Sequence, residues 1–362
     1  MVGNTSERIR VATRMLYNLS VRSLAIVFAA LTILTVGSFS QTPKLQETGF
    51  DTNLRGVSIS QTPAGKHVVW VSGSKGIVLR SVDEGKSWTQ LKVSDQPDLD
   101  FRDIEAFGAN SAYVMSSGDG EKSRIYKTVD AGKSWSLQYT DKRAGFFLDS
   151  LACDSKTQCF ALSDPVDGKF LLLITADGLH WEELPRDKMP AALPTEGAFA
   201  ASGTSIAICH NDIYFGTGGP AARIFHSPDR GRSWTAVETP MASGNASSGI
   251  FSIACHGRSL AAVGGDYREP TNANKVAIDS TDAGASWHLA EQQPAGYRSA
   301  VVFLSGRRFI AVGTNGSDIS DDAGVHWRRM DTFNLNAFSV RNSRSCAVGP
   351  KGTVLLVGEQ SH

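Results

Sequence analysis

Ser81-Val82-Asp83-Glu84-Gly85-Lys86-Ser87-Trp88 returns five times along the chain with few changes. The copies are Thr128 to Trp135, Thr175 to Trp181, Ser227 to Trp234, Ser280 to Trp287 and Ser320 to Trp327, and the Thr175 copy is one residue shorter. Each reads Ser/Thr-x-Asp-x-Gly-x-x-Trp or a close variant. Six of the seven tryptophans end such a unit. Their separations of 47, 46, 53, 53 and 40 residues are the length of one small four-stranded sheet, so the recurrence predicts a ring of such sheets.

The unit has a local structural meaning. Aspartate accepts hydrogen bonds from nearby backbone amides, glycine tolerates positive φ, and tryptophan supplies an apolar anchor after the turn. Asp83, Trp88, Asp130, Trp135, Asp177, Trp181, Asp229, Trp234, Asp282, Trp287, Asp322 and Trp327 are therefore read as supports of the fold, because six copies of one active site make a poor alternative. Short strands precede each unit; the first set is Gly56 to Ser60, His67 to Ser72, Ile77 to Arg80 and Ser87 to Lys92. Three strands follow the sixth tryptophan, at Ala337 to Val340, Ser345 to Val348 and Thr353 to Val357, with no seventh unit. Leu45-Gln46-Glu47-Thr48 resembles an outer strand and predicts that the N-terminal stretch completes the last sheet. The expected fold is all-β: a seven-bladed β-propeller over residues 41–362, with a terminally closed seventh blade.

The first forty residues differ in kind. Arg8, Arg10, Arg14 and Arg22 precede an apolar run from Leu24 to Val36, and Gly37-Ser38-Phe39-Ser40 follows. This order describes a secretory signal cleaved after Ser40, or an uncleaved anchor associating with the membrane through residues 22–39. The run is shorter than the about 20 residues of a full span. No cysteine follows it to carry a lipid. A periplasmic or secreted location is expected, or an anchored one with the propeller outside the cytoplasm. The formal charge of zero, with 36 basic and 36 acidic residues, does not indicate a nucleic-acid surface. Of the five cysteines, Cys153 and Cys159 flank a polar turn and are either a disulfide or two small core residues; the odd total leaves a thiol over.

At the repeated units the chain resembles the bacterial-neuraminidase-type Asp-box repeat proteins. More specifically, from Gly49 to Glu359 it is similar to the photosystem II stability and assembly factors and their relatives in non-photosynthetic bacteria. The resemblance implies a non-catalytic role in assembling or stabilising a protein complex, with a protein as partner. Asp boxes themselves certify no chemistry, and in sialidases they lie away from the catalytic centre.

Because the boxes join the third and fourth strands, the loops on the opposite face carry the functional expectation. Their polar residues Asp164, Asp167, Arg223, Asp266, Tyr267 and Arg268 are the candidate ligand- or partner-binding group. The arginines suit an anionic group and Tyr267 a stacked ligand. A calcium ion on Asp164 and Asp167 has suitable oxygen ligands but no EF-hand spacing, so no metal is assigned, and no cofactor or catalytic residue is expected. The alternative reading is a glycosidase-like or carbohydrate-binding propeller acting on a polysaccharide or small polar ligand, which needs carboxylates that no spacing here places together.

Overall fold

In the computed structural model, residues 44–342 and 344–357 are described. The signal or anchor expected in residues 1–40 lies outside them. Among the described residues no helix is long and apolar enough to cross a membrane. Seven antiparallel sheets follow one another. Blade 1 is built from Leu54–Gln61, His67–Gly73, Val78–Ser81 and Thr89–Leu91, and blade 2 from Asp100–Phe107, Ser111–Ser117, Arg124–Thr128 and Ser136–Thr140. Blades 3 to 6 start at Leu148–Ser155, Ile206–Cys209, Asn245–His256 and Ala300–Ser305. Blade 7 takes Ala337–Arg341, Arg344–Val348 and Thr353–Val357 from the C-terminal end and Lys44–Glu47 from the N-terminal end. Lys44 pairs with Leu356 and Glu47 with Thr353, which closes the ring as the sequence predicts. One strand was not expected: Gly218–Gly219, in the predicted polar loop of blade 4, pairs with the first strand of blade 5 and makes that sheet five-stranded.

Each sheet is buried on both sides, because it packs against the next blade on one side and the previous blade on the other. In His67–Gly73 every residue after His67 is buried. Val69 and Val71 face blade 7, whereas Val68 and Trp70 face blade 2. The core is accordingly a series of slabs between neighbouring blades. The box tryptophans enter these slabs, Trp88 between blades 7 and 1, Trp135 between 1 and 2, and Trp327 between 5 and 6.

The boxes are closed hydrogen-bond loops. Ser81 Oγ donates to Asp83 Oδ1 at 2.7 Å and accepts from Gly85 N, while Asp83 accepts from Ser87 N at 2.9 Å and Ser87 Oγ at 2.6 Å. These bonds hold the Asp83 carboxyl down at about 2. Gly85, at φ 82°, lies where any Cβ would meet the Leu356 side chain of blade 7, so each turn also leans on its neighbour.

The innermost strands have a free edge facing the channel, and side chains supply the missing partners between blades. Ile59 N donates to Ser339 Oγ (3.1 Å), Ala106 N to Ser58 Oγ (3.1 Å) and Leu151 N to Asp103 Oδ2 (2.7 Å). The series continues with Ile206 N to Ser150 Oγ (3.4 Å), Ile253 N to the Thr204 carbonyl (3.0 Å) and Val301 N to Ser252 Oγ (2.9 Å). Ser299 Oγ, donating to the Asn336 carbonyl at 2.7 Å, links blade 6 to blade 7 and completes the circle.

Two disulfides are present. Cys153–Cys159 staples the first hairpin of blade 3, where the two residues are direct cross-strand partners. Cys209–Cys255, which the sequence reading did not pair, joins the first strands of blades 4 and 5. Cys346 is the remaining thiol, buried in the blade 7–1 slab. The two bridges close loops of sequence separation 46 and 6. Loop entropy then expects losses of about 4 and about 2 kcal/mol respectively. Cys209→Ser/Cys255→Ser should therefore lower the Tm more than Cys153→Ser/Cys159→Ser, as read by thermal denaturation of oxidised protein.

Candidate functional site

Four innermost strands carry a β-bulge at the same place, near the end of the channel opposite the boxes. The register shifts fall between Leu54 and Gly56, Phe101 and Asp103, Leu148 and Ser150, and Ile250 and Ser252. The skipped residues are Arg55, Arg102, Asp149 and Phe251. A bulged residue leaves the in-out alternation of its strand and is re-aimed, which is why bulges gather at sites. Here they form the wall of one channel mouth.

The Arg55 guanidinium has no hydrogen bond among the described residues, and its Nε is enclosed. Burial, helped by the like charge of Arg102, lowers its pKa to about 10, with Asp100 and Tyr297 acting in the opposite sense. Arg102 is engaged: its Nε donates to Asp100 at 2.6 Å and its Nη1 to the Ala200 carbonyl at 2.7 Å. Asp149 is 1% exposed and its Oδ2 is unpartnered. Burial first, then the neighbouring Asp164 charge, raises its pKa well above the carboxylate range. Phe251 stacks on Phe199 at 3.7 Å and meets Tyr297 edge-on at 4.8 Å and Tyr267 at 6.2 Å.

The segment from Glu196 to Ser205, leading into blade 4, crosses this mouth. Ala198 N donates to Asp164 Oδ1 (2.9 Å) in blade 3, and Ser202 Oγ donates to the Ser299 carbonyl (2.8 Å) beside blade 6. Ser150 Oγ donates to the Gly203 carbonyl, and Thr204 Oγ1 bonds Ser252 Oγ of blade 5. Small residues fit this crossing: at Gly203, φ 76°, a Cβ would strike the Asp103 carboxylate. The segment is a plug across the channel.

The expected residues are brought together only in part. Asp164 and Tyr267 belong to the mouth, joined through the 197–199 segment and Phe251. Asp167 sits at the exposed tip of its hairpin with φ 54°, a turn position. Arg223 is not available to a ligand, because its guanidinium is bound to the buried Glu196 carboxylate and to the Ala191 carbonyl. Asp266 accepts from Arg268 N (2.9 Å) and Asn245 Nδ2 (3.0 Å), which makes it a loop support, and Arg268 lies over the Tyr267 ring at 5.8 Å. No group of three or more metal-ligating side chains occurs among the described residues. The sequence reading missed Arg55, Arg102, Asp149 and Phe251; aligning the starts of the innermost strands would have shown that this position varies while the residues after it repeat.

An open groove of about 540 Å³ extends from Asp164 along Gly145, Pro165, Gly168 and the 192–197 segment.

These features define an Asp-box seven-bladed β-propeller whose plugged channel presents an arginine- and aromatic-lined mouth. The family model described as photosynthesis system II assembly factor YCF48 matches residues 41–192, so the chain is a propeller resembling the photosystem II assembly factors. The photosystem II assembly lipoprotein Ycf48 of Synechococcus sp. (strain CC9902) is 34% identical over 76 residues, a match spanning 20% of each chain. Among solved structures, YCF48 bound to D1 peptide aligns at TM-score 0.61 and 13% identity, covering 88% of this chain and 98% of that one. YCF48 from Cyanidioschyzon merolae gives 0.61 at 16%, covering 87% and 98%. A GH74 xyloglucanase from Xanthomonas campestris gives 0.59 at 16%, covering 88% and 54%; at such identities the likeness is one of fold.

Asp164 gives the mouth a pH dependence. Burial raises its pKa to about 6, against the Ala198 hydrogen bond. Because the folded value is raised, holding it ionised costs stability that is absent below its ordinary 3.8 and full above about 6. Asp164→Asn keeps an acceptor for Ala198 and should stabilise by on the order of 2 kcal/mol at pH 7.5. The gain should vanish by about pH 4, as read by Tm against pH.

Proposed function

We propose that this chain is an extracytoplasmic, non-catalytic assembly or stability factor that holds a segment of a protein client at the channel mouth opposite the Asp boxes. The observation that carries the reading is Arg55, without a hydrogen-bond partner among the described residues, near Tyr297, which meets Phe251 edge-on within the mouth's aromatic group. A half-buried guanidinium without a protein acceptor is suited to a carboxylate, bidentate and charge-assisted. Aromatic faces next to it suit the apolar side chains of the same segment. The groove beside Asp164 offers the segment a path outward. The relative captured with a D1 peptide supports a peptide as ligand class. The arginine-led apolar run at residues 24–36 and the two disulfides support a location outside the cytoplasm.

The test is capture of clients from the native envelope by the full chain, compared with Arg55→Ala and Tyr267→Ala. Each variant should weaken capture of a specific protein at least about tenfold, a loss of about 1.4 kcal/mol, with an unchanged Tm. Binding should also weaken with salt, since the anchor is ionic. Unchanged capture by both variants, together with saturable turnover of a sugar substrate, would reverse the reading in favour of a glycan-acting propeller.

A further inference from the structure

The other end of the channel holds a second cavity. It measures about 680 Å³ and opens on the Asp-box face, between the inner strands of blades 7, 1, 2 and 3. Its wall includes Ser58, Glu105, Phe107, Asp154, Ser339 and Arg341. The plug lies across the opposite end, and Asp103 marks the boundary, since its carboxylate touches Gly203 of the plug while Glu105 follows two residues along the same strand. The cavity is thus closed at its inner end and open at its outer one. The Cys153–Cys159 disulfide stiffens the hairpin that supplies part of the wall.

Glu105 is the group this cavity leaves unexplained. Its side chain lines the cavity, half-buried, and no hydrogen bond to it is found among the described residues. The charged groups around it are Arg341 of blade 7, Asp103 on its own strand and Asp154 at the rim, and Asp154 is already paired with Arg230 at 2.5 Å. Arg341 is exposed and makes no ion pair with Glu105. A carboxyl partly desolvated in a cavity wall, with no donor from the protein, is suited to a donor or an opposite charge brought from outside. Ser58 and Ser339 each accept one backbone N–H, from Ala106 and Ile59, and retain a further lone pair toward other donors.

We propose that this cavity is a second binding site, on the Asp-box face, that takes the primary ammonium of a lysine side chain, with the Glu105 carboxylate as its counter-charge and the Ser58 and Ser339 hydroxyls as further acceptors. The volume is ample for one such side chain. Three acceptors match the three N–H donors of an ammonium. Burial, opposed by the charge of Arg341, raises the Glu105 pKa to about 8, so the empty site carries a proton at neutral pH. An arriving cation favours the ionised form, and the Glu105 proton then leaves to solvent as the ammonium binds. Charge balances, with one positive charge taken up and one proton released.

The probe is Nα-acetyl-lysine amide, with Nα-acetyl-norleucine amide as the uncharged control, titrated calorimetrically into the full chain at pH 7 in two buffers of different ionisation enthalpy. The lysine probe should bind saturably with release of close to one proton, and the norleucine probe at least about tenfold more weakly. Glu105→Gln should lose both the binding and the proton release. Arg341→Ala leaves Glu105 in place and, because the ammonium replaces a proton with no net change of charge, should retain saturable lysine binding with release of close to one proton, which keeps the test informative even if the Gln variant folds poorly. Absence of saturable lysine binding, equal binding of the two probes, or an Arg341→Ala variant that takes up the lysine probe without releasing a proton would each overturn the proposal. The mouth at the opposite end is untouched by these variants, so its client binding is an independent readout.

Discussion

The fold depends on how seven inner strands, each with an unpaired edge, are held around one axis. Packing between blades is apolar and non-directional, and it leaves sliding along the strand direction weakly opposed. The hydroxyl and carboxyl bonds that pass from Ser339 to Ile59, from Ser58 to Ala106, from Asp103 to Leu151 and onward give each blade a defined height relative to the next. They also satisfy amides that the channel would otherwise leave without partners. Between blades 4 and 5 the Ile253 amide is taken by the Thr204 carbonyl rather than by a hydroxyl, and the chain at that point is the plug itself. Closing the channel and spacing the blades are done by the same residues.

This arrangement explains why functional groups appear where they do. A strand whose register is fixed by its neighbour accommodates an extra residue only by bulging, and the bulge lies just before the bonding residue: Arg102 before Asp103, Asp149 before Ser150, Phe251 before Ser252. Four extra residues in equivalent places give a ring of side chains that owes nothing to the loops. Arg55, Arg102, Asp149 and Phe251 are therefore mounted on strands, which places them more firmly than loop tips would, while Tyr267 and Tyr297 reach Phe251 from the connecting segments.

The blade number and the closing strand were legible in the sequence because the information is local. A box satisfies its own hydrogen bonds within eight residues, so it reads the same in every copy, and Leu45 to Thr48 fills the one vacancy left by counting. The site was legible only in outline. Its face follows from strand alternation, but two arginines, an aspartate and a phenylalanine at Arg55, Arg102, Asp149 and Phe251 make no common pattern and stand at the edge of a strand, where pattern is weakest. Arg223 read as a free cation because its partner, Glu196, comes from another loop 27 residues earlier. The Cys209–Cys255 bridge was missed for the same reason, being a contact between repeats.

The pairing of Lys44–Glu47 with Thr353–Val357 also has a bearing on how the molecule comes into being. A chain synthesised in order, first residue foremost, delivers the outer strand of blade 7 at the start and its three partners at the finish. Until then blades 1 to 6 form an arc with two sticky ends, of the sort that pairs with other chains. The interval between the two deliveries is the period in which those edges stay open, and its length is set by the time taken to make nearly the whole polypeptide.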